Sequence, residues 1–389
     1  RRPRALLQTL ESDPDVRLAG ILADAEAVGA EPDSDEGRKR LRELKADLHL
    51  LTALADLGGV WDLDQVTGAL ARFADAALHA AVALVARDEI GRGRLVAVPD
   101  GPAGPIPGLM IIAMGKHGAF ELNYSSDIDI TFFYEPDRLP LAEGVEPGDE
   151  AVRIAQGVAR AMQDRTADGY VFRVDLRLRP DPSSTPPAIP AMAAFTYYES
   201  VGQNWERAAF IKARAAAGDI PAGEAFLEEL QPFIWRRNLD WGAISDIHSI
   251  KRQIHAFKVD ERMTAKGADL KLGRGGIREI EFFVQTQQLI LGGRHPELRS
   301  NRTLEALQAL SAAGHVAPDA AEELARAYVD LRALEHRAQM LGDDQTHKLP
   351  ESDAERKRVA ALWGHDKLNV FDAVVGKMLK AVNARYGEL

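Results

Sequence analysis

Two aspartates one residue apart, Asp127 and Asp129, open the otherwise apolar run "DIDITFFY" at 127–134. No other stretch constrains the fold as strongly, because an unpaired charge withdrawn from water is costly and something must compensate it. The run is rich in β-formers and reads as a strand. Side chains two apart on a strand share a face, so Asp127 and Asp129 point one way and Ile128 and Ile130 the other. Two strand rises put the aspartate Cα atoms ~6.6 Å apart. Flexible carboxylates at that spacing can converge on one divalent cation, and a hard, oxygen-liganded ion such as Mg²⁺ or Mn²⁺ suits them. An isolated D-x-D is nevertheless weak evidence, since a strand start with turn-capping, solvent-facing aspartates has the same spelling.

The neighbouring sequence adds to it. "LMIIAM" at 109–114 reads as a short buried strand and runs directly into "MGKHG". Gly115 and Gly118 then sit at a strand-to-loop turn where backbone N–H groups can approach phosphate. "YVFRVDLRLR" at 170–179 alternates: Phe172, Val174, Leu176 and Leu178 form one face, Arg173, Asp175, Arg177 and Arg179 the other. Such a face is either solvated and internally ion-paired, each pair worth little, or a third metal carboxylate among phosphate-binding arginines. The D-x-D upstream favours the second reading.

These strands sit within a mostly helical chain. Residues 5–93 read as helices, with Asp62 or Asp64 capping "DLDQVTGALARFADAALHAAVALVAR". "VPDGPAGPIPG" at 98–108 reads as a boundary loop and "PDPSSTPPAIP" at 180–190 as another. An amphipathic helix is expected at about 149–164. From Ala191 onward helices are expected to the end, most clearly at 243–263, 277–291, 318–341 and 367–386. The expected class is α+β: an N-terminal helical region (1–97), a catalytic sheet domain (98–220) and a C-terminal helical bundle (221–389).

The net charge of −11 argues against indiscriminate binding to nucleic acid or anionic membrane. The absence of cysteine excludes disulfides, thiol catalysis and cysteine-bound zinc, and suits a cytoplasmic location. No apolar run is expected to reach the ~20 residues that span a bilayer. With no initiator methionine and no signal-peptide core, the chain reads as a piece of something longer. No histidine pair has helical zinc spacing, and His248 and His255 read as surface residues.

The glycine turn, the D-x-D and the later strand aspartate resemble the nucleotidyltransferase fold of the polymerase β superfamily, with Lys116 where many members have serine. "GKHGAFELNYSSDIDITFFYE", "VFRVDLRLRP", "NWERAAFIKAR" and "KLGRGGIREIEFFVQ", in that order, resemble the bifunctional glutamine synthetase adenylyltransferase/adenylyl-removing enzymes over most of the chain. That family carries two nucleotidyltransferase units, and "NWERAAFIKAR" and "GGIREIEF" look like the N-terminal, adenylyl-removing one. The resemblance implies phosphorolysis: inorganic phosphate, as co-substrate, takes AMP from a tyrosine of adenylylated glutamine synthetase and gives ADP. It implies Mg²⁺, with Mn²⁺ as the alternative, on Asp127, Asp129 and Asp175. Phosphate or nucleotide contacts fall to Gly115, Lys116, Ser126, Arg173, Arg177, Arg179, Lys212, Lys271, Arg274 and Arg278, with Glu206, Glu279 and Glu281 in support. Glu206, Lys212 and Arg214 read as one helix, and Trp205 and Phe210 as core. The uridylylated PII signal protein and the adenylyltransferase half of the same chain are the further partners implied. "KHGA" departs from the more usual "KLGG", which sets His117 and Ala119 apart. Two other readings stay open: the AMP-adding, ATP-using activity on the same fold, and a catalytically silent docking module. Three converging carboxylates argue against the latter.

Overall fold

The computed structural model describes residues 3–99, 101–237, 263–342 and 344–387. A mixed sheet is built around β1 (Leu109–Met114), whose six residues are all buried, as befits a strand with neighbours on both sides. It pairs antiparallel with β2 (Asp127–Tyr134), Ala113 opposite Ile130 and Met114 opposite Asp129. The far edge of β2 carries two short parallel strands in succession, β3 (Arg173–Asp175) and β4 (Ala188–Pro190). On the other side of β1 lies β5 (Arg214–Gly218), antiparallel.

Four expectations are corrected here. The alternating run at 170–179 yields only the three-residue β3: the chain turns after Asp175, whose carboxylate accepts from the Arg177 N–H, and β4 pairs further along the same edge at Phe132–Tyr134. β4 itself comes from a segment read as loop. "RAAAG", helical by propensity, becomes β5 because β1 offers it a ladder, and tertiary pairing overrides a weak local preference. The short helix Asn204–Phe210 ends before Lys212, so Glu206, Lys212 and Arg214 do not share a helix.

The main helices of the same unit are α1 (Pro14–Ala27), α2 (Ser34–Leu57), α3 (Leu63–Gly91), α4 (Pro147–Gln163) and α5 (Ile220–Glu229). Asp62 starts α3 with a capping box: its carboxylate accepts from the Gln65 backbone N–H at 2.8 Å and the Gln65 side chain accepts from the Asp62 N–H at 3.0 Å. By length and hydropathy α3 is apolar enough to cross a bilayer, contrary to expectation, but 78% of its apolar window is buried inside the protein. It packs on α1, α2, α4 and β5, while α5 covers β1 and β5. The helical N-terminal stretch and the sheet therefore form one compact unit, Arg1–Leu122 with Ser126–Phe233, and neither 97/98 nor 220/221 divides it.

The second unit comprises Asn123–Ser125 and Ile234–Leu389. Its described helices are α6 (Ile277–Leu291), α7 (Thr303–Ala312), α8 (Pro318–Met340), α9 (Asp353–Leu362) and α10 (Leu368–Gly387). Leu331, Leu334, Val375 and Leu379 are among its core residues. Asn123 is buried in a polar network there: its side-chain oxygen accepts from Arg332 at 2.6 Å, and its amide donates to Glu335 at 2.6 Å. The helix expected at 243–263 lies almost wholly outside the described residues, as do His248 and His255.

Candidate active site

β2 and β3 run parallel with Asp127 beside Arg173 and Asp129 beside Asp175. Residues side by side on adjacent strands share a face, so Asp127, Asp129, Arg173 and Asp175 all project from one surface of the sheet, with strands ~4.8 Å apart. Ile128 and Ile130 are fully buried on the opposite face, whereas both aspartates are half-buried. β3 extends just far enough to deliver this one carboxylate before the chain turns.

Arg177 stands in that turn. It donates to Asp175 through Nε at 2.9 and 3.0 Å and through Nη2 at 2.5 Å, and its backbone N–H reaches Oδ1 at 2.9 Å. Burial alone would raise the Asp175 carboxyl, but Arg177 wins and holds it below the ordinary carboxylate range. The Arg177 guanidinium is itself raised, first by Asp175 and then by the charges of Asp127 and Asp129. Arg177 is thus ion-paired to Asp175 and feels the charges of Asp127 and Asp129 as well. Among the described residues no group of three or more acidic or histidine side chains is gathered as a metal-ligand set. The donor chemistry and the strand register suit a hard divalent cation, while the Asp175 side chain is committed to Arg177.

The glycine turn presses against this corner. Gly115 has φ +54°, and a Cβ there would lie 2.5 Å from Asp129 Oδ2, so only glycine lets the turn come so close. Lys116, expected to touch phosphate, is buried. Ser126 is half-buried immediately before β2. Tyr170 Oη accepts from Arg173 Nη1 at 2.7 Å, which aims the arginine along the sheet edge.

Several residues assigned to phosphate are spent elsewhere. Lys212 is 5% exposed and its Nζ meets Glu121 Oε2 at 2.7 Å. All three nitrogens of the Arg179 guanidinium go to its own loop: Nη1 to Leu176 O at 2.8 Å, Nη2 to Pro182 O at 2.8 Å and Thr185 O at 3.0 Å, Nε to Thr185 O at 3.3 Å. Glu206 caps its helix by accepting from the Gln203 N–H at 2.7 Å, and burial raises its pKa. Glu279 accepts from the Gly275 N–H at 3.0 Å and so fixes a turn. Lys271, Arg274, Arg278 and the half-buried Glu281 belong to the second unit. Phe210 is core, but Trp205 is 42% exposed. Asp75 and Glu121 are not found from sequence, and Arg214 is singled out there only as one of a helical trio with Glu206 and Lys212. No local pattern marks Asp75, which meets His117 from 42 residues away.

The glutamate-ammonia ligase adenylyltransferase family profile matches residues 1–229, which takes in every strand of this sheet and all three aspartates. The chain belongs to that family. The bifunctional glutamine synthetase adenylyltransferase/adenylyl-removing enzyme of Caulobacter vibrioides is 73% identical over all 389 residues. The enzymes of the same description from Xanthobacter autotrophicus and Bradyrhizobium diazoefficiens are 51% and 50% identical, again across the whole chain. The chain spans 39–40% of the length of these relatives. Residues 248–388 of this adenylyltransferase-family chain also match the profile of the GlnD PII-uridylyltransferase.

Proposed function

We propose that the chain removes AMP from the adenylylated tyrosine of glutamine synthetase by phosphorolysis, on a polymerase β-like nucleotidyltransferase domain followed by a helical bundle. The observation that carries this is the parallel register that sets Asp127, Asp129 and Asp175 on one sheet face beside the Gly115 turn. A silent docking module has no use for that face. The motifs "NWERAAFIKAR" and "GGIREIEF" favour removal over addition.

Asp127, Asp129 and Asp175 would hold Mg²⁺ or Mn²⁺, which when bound neutralises phosphate oxygens and favours attack at phosphorus. Asp175 must first exchange Arg177 for that role. Arg177, with 82% of its side chain exposed, is then free to take a phosphate in bidentate fashion. Arg173 lies one register step away and adds a second fixed cation. Backbone N–H groups after Gly115 and the Ser126 hydroxyl would meet the remaining oxygens. A hydrogen phosphate oxygen attacks the AMP phosphorus, the bond to the tyrosine oxygen breaks, and the phosphate's proton ends on that oxygen. The products are ADP and unmodified tyrosine, with no covalent enzyme intermediate. Glutamine synthetase is then the macromolecular substrate, in the cytoplasm where it works. The uridylylated PII protein would activate the exchange, and the adenylyltransferase half is a further partner.

The test is incubation of the chain with adenylylated glutamine synthetase, Mg²⁺ and phosphate. ADP is expected, with Asp127→Asn, Asp129→Asn and Asp175→Asn each reducing its rate at least ~100-fold. ADP made equally by all three variants overturns the assignment. Consumption of ATP with release of pyrophosphate, independent of phosphate, supports the AMP-adding activity instead.

A further inference from the structure

His117 is fully buried in the glycine turn and is not left alone there. Its Nε2 meets Asp75 Oδ1 of α3 at 2.7 Å. Because a carboxylate only accepts, Nε2 carries the hydrogen and Nδ1 is bare. Nδ1 has no hydrogen-bond partner among the described residues. The same Asp75 oxygen accepts from Arg214 Nη2 of β5 at 2.8 Å, and that nitrogen also donates to the His117 carbonyl at 3.2 Å. The guanidinium carbon lies 3.9 Å from the centre of the Phe120 ring, and Phe120 is held at φ +56°. Burial keeps His117 below its ordinary pKa, so it is neutral at pH 7. Asp75 is held below the carboxylate range by His117 and Arg214 against the opposing effect of burial.

The far end of the turn is fastened too. Glu121 pairs with Lys212, both nearly buried, and the Lys212 carbonyl lies where a Cβ on Gly118 would come to 1.9 Å. Residues 115–121 are therefore gripped from α3 on one side and from the approach to β5 on the other. The gripped segment begins with the glycine that touches Asp129.

We propose that Asp75, His117 and Arg214 are positioning residues that clamp the glycine turn against Asp129, so that its backbone N–H groups are fixed where a phosphate oxygen binds. This deepens the phosphorolysis reading and rests on it for its kinetic consequence, but the clamp is observable without catalysis. A bond fixed in geometry before the substrate arrives saves the ordering cost that a loose loop would incur on binding. Its loss should fall mainly on phosphate affinity.

The experiment compares Asp75→Asn, His117→Gln and His117→Phe in the chain by amide hydrogen exchange and by ADP formation at varied phosphate. Asp75→Asn is expected to speed exchange of the 116–121 amides at least tenfold, leaving β1 and β2 protected, and to raise KM for phosphate at least fivefold with a smaller change in kcat. His117→Gln, which keeps a donor toward Asp75, should stay within about threefold of the parent in KM, whereas His117→Phe should behave as Asp75→Asn. Unchanged exchange in 116–121 overturns the clamp. Faster exchange with an unchanged KM, and only a smaller active fraction, overturns its positioning role. Should the parent make no ADP while the exchange difference is seen, the phosphorolysis reading fails and the clamp stands.

Discussion

Gly118 shows how little freedom the site leaves its residues. A Cβ there would meet the Lys212 carbonyl at 1.9 Å and the Ala113 carbonyl at 2.7 Å, both backbone atoms that cannot simply swing away. Gly118→Ala should therefore lose about 3 kcal/mol or more of stability, within reach of a denaturant titration. Gly91→Ala, with nothing within 4 Å of the added methyl, should lose nothing. Equal midpoints for the two variants would contradict this account of the turn. At this level the sequence shows the acidic residues well, since a D-x-D inside an apolar run declares itself. It conceals how the cations are used. Lys212 and Arg179 read as phosphate ligands because a charge is visible in sequence, while its partner is not: Glu121 lies 91 residues from Lys212, and the carbonyls that satisfy Arg179 belong to a loop whose fold is unwritten locally.

The elements differ in legibility for a physical reason. β1, β2 and the long helices carry their period over six residues or more, so burial and alternation reinforce each other. β3, β4 and β5 have three, three and five residues, and exist because a neighbouring edge accepts them. A partner edge has no signature in the strand it recruits. α3 misleads in the opposite sense. It carries enough apolar length for a bilayer, and only the packing of α1, α2, α4 and β5 around it shows what its surface is for. Its start is written locally. Removal of the capping carboxylate by Asp62→Ala should lower stability by about 1 kcal/mol, measured by thermal or chemical unfolding. An unchanged midpoint would mean that packing alone fixes this end.

For the first unit as a whole, pH is the most revealing variable. His49, half-buried on α2 beside the charge of Lys45, is pushed down to about 3, chiefly by burial. His117, fully buried, is pushed down as well, first by burial, with Asp75 opposing it. In each case the folded state binds its proton less readily than the unfolded chain does. The stabilisation is complete above the ordinary histidine pKa and is lost as pH falls from there toward the folded values. From His49 alone this amounts to about 2 kcal/mol by roughly pH 5. Unfolding midpoints should fall steadily below about pH 6.5, and His49→Phe should flatten that slope. A flat profile in the parent between about pH 7 and pH 5 would contradict the burial of these histidines as uncharged groups.

The decisive measurement follows the phosphorus atom. With labelled inorganic phosphate, Mg²⁺ and adenylylated glutamine synthetase, phosphorolysis at Asp127, Asp129 and Asp175 places the label in the β-phosphate of ADP, one per tyrosine freed. Release of unlabelled AMP, or ADP carrying no label, would show that phosphate is not the nucleophile and would contradict the account at its centre.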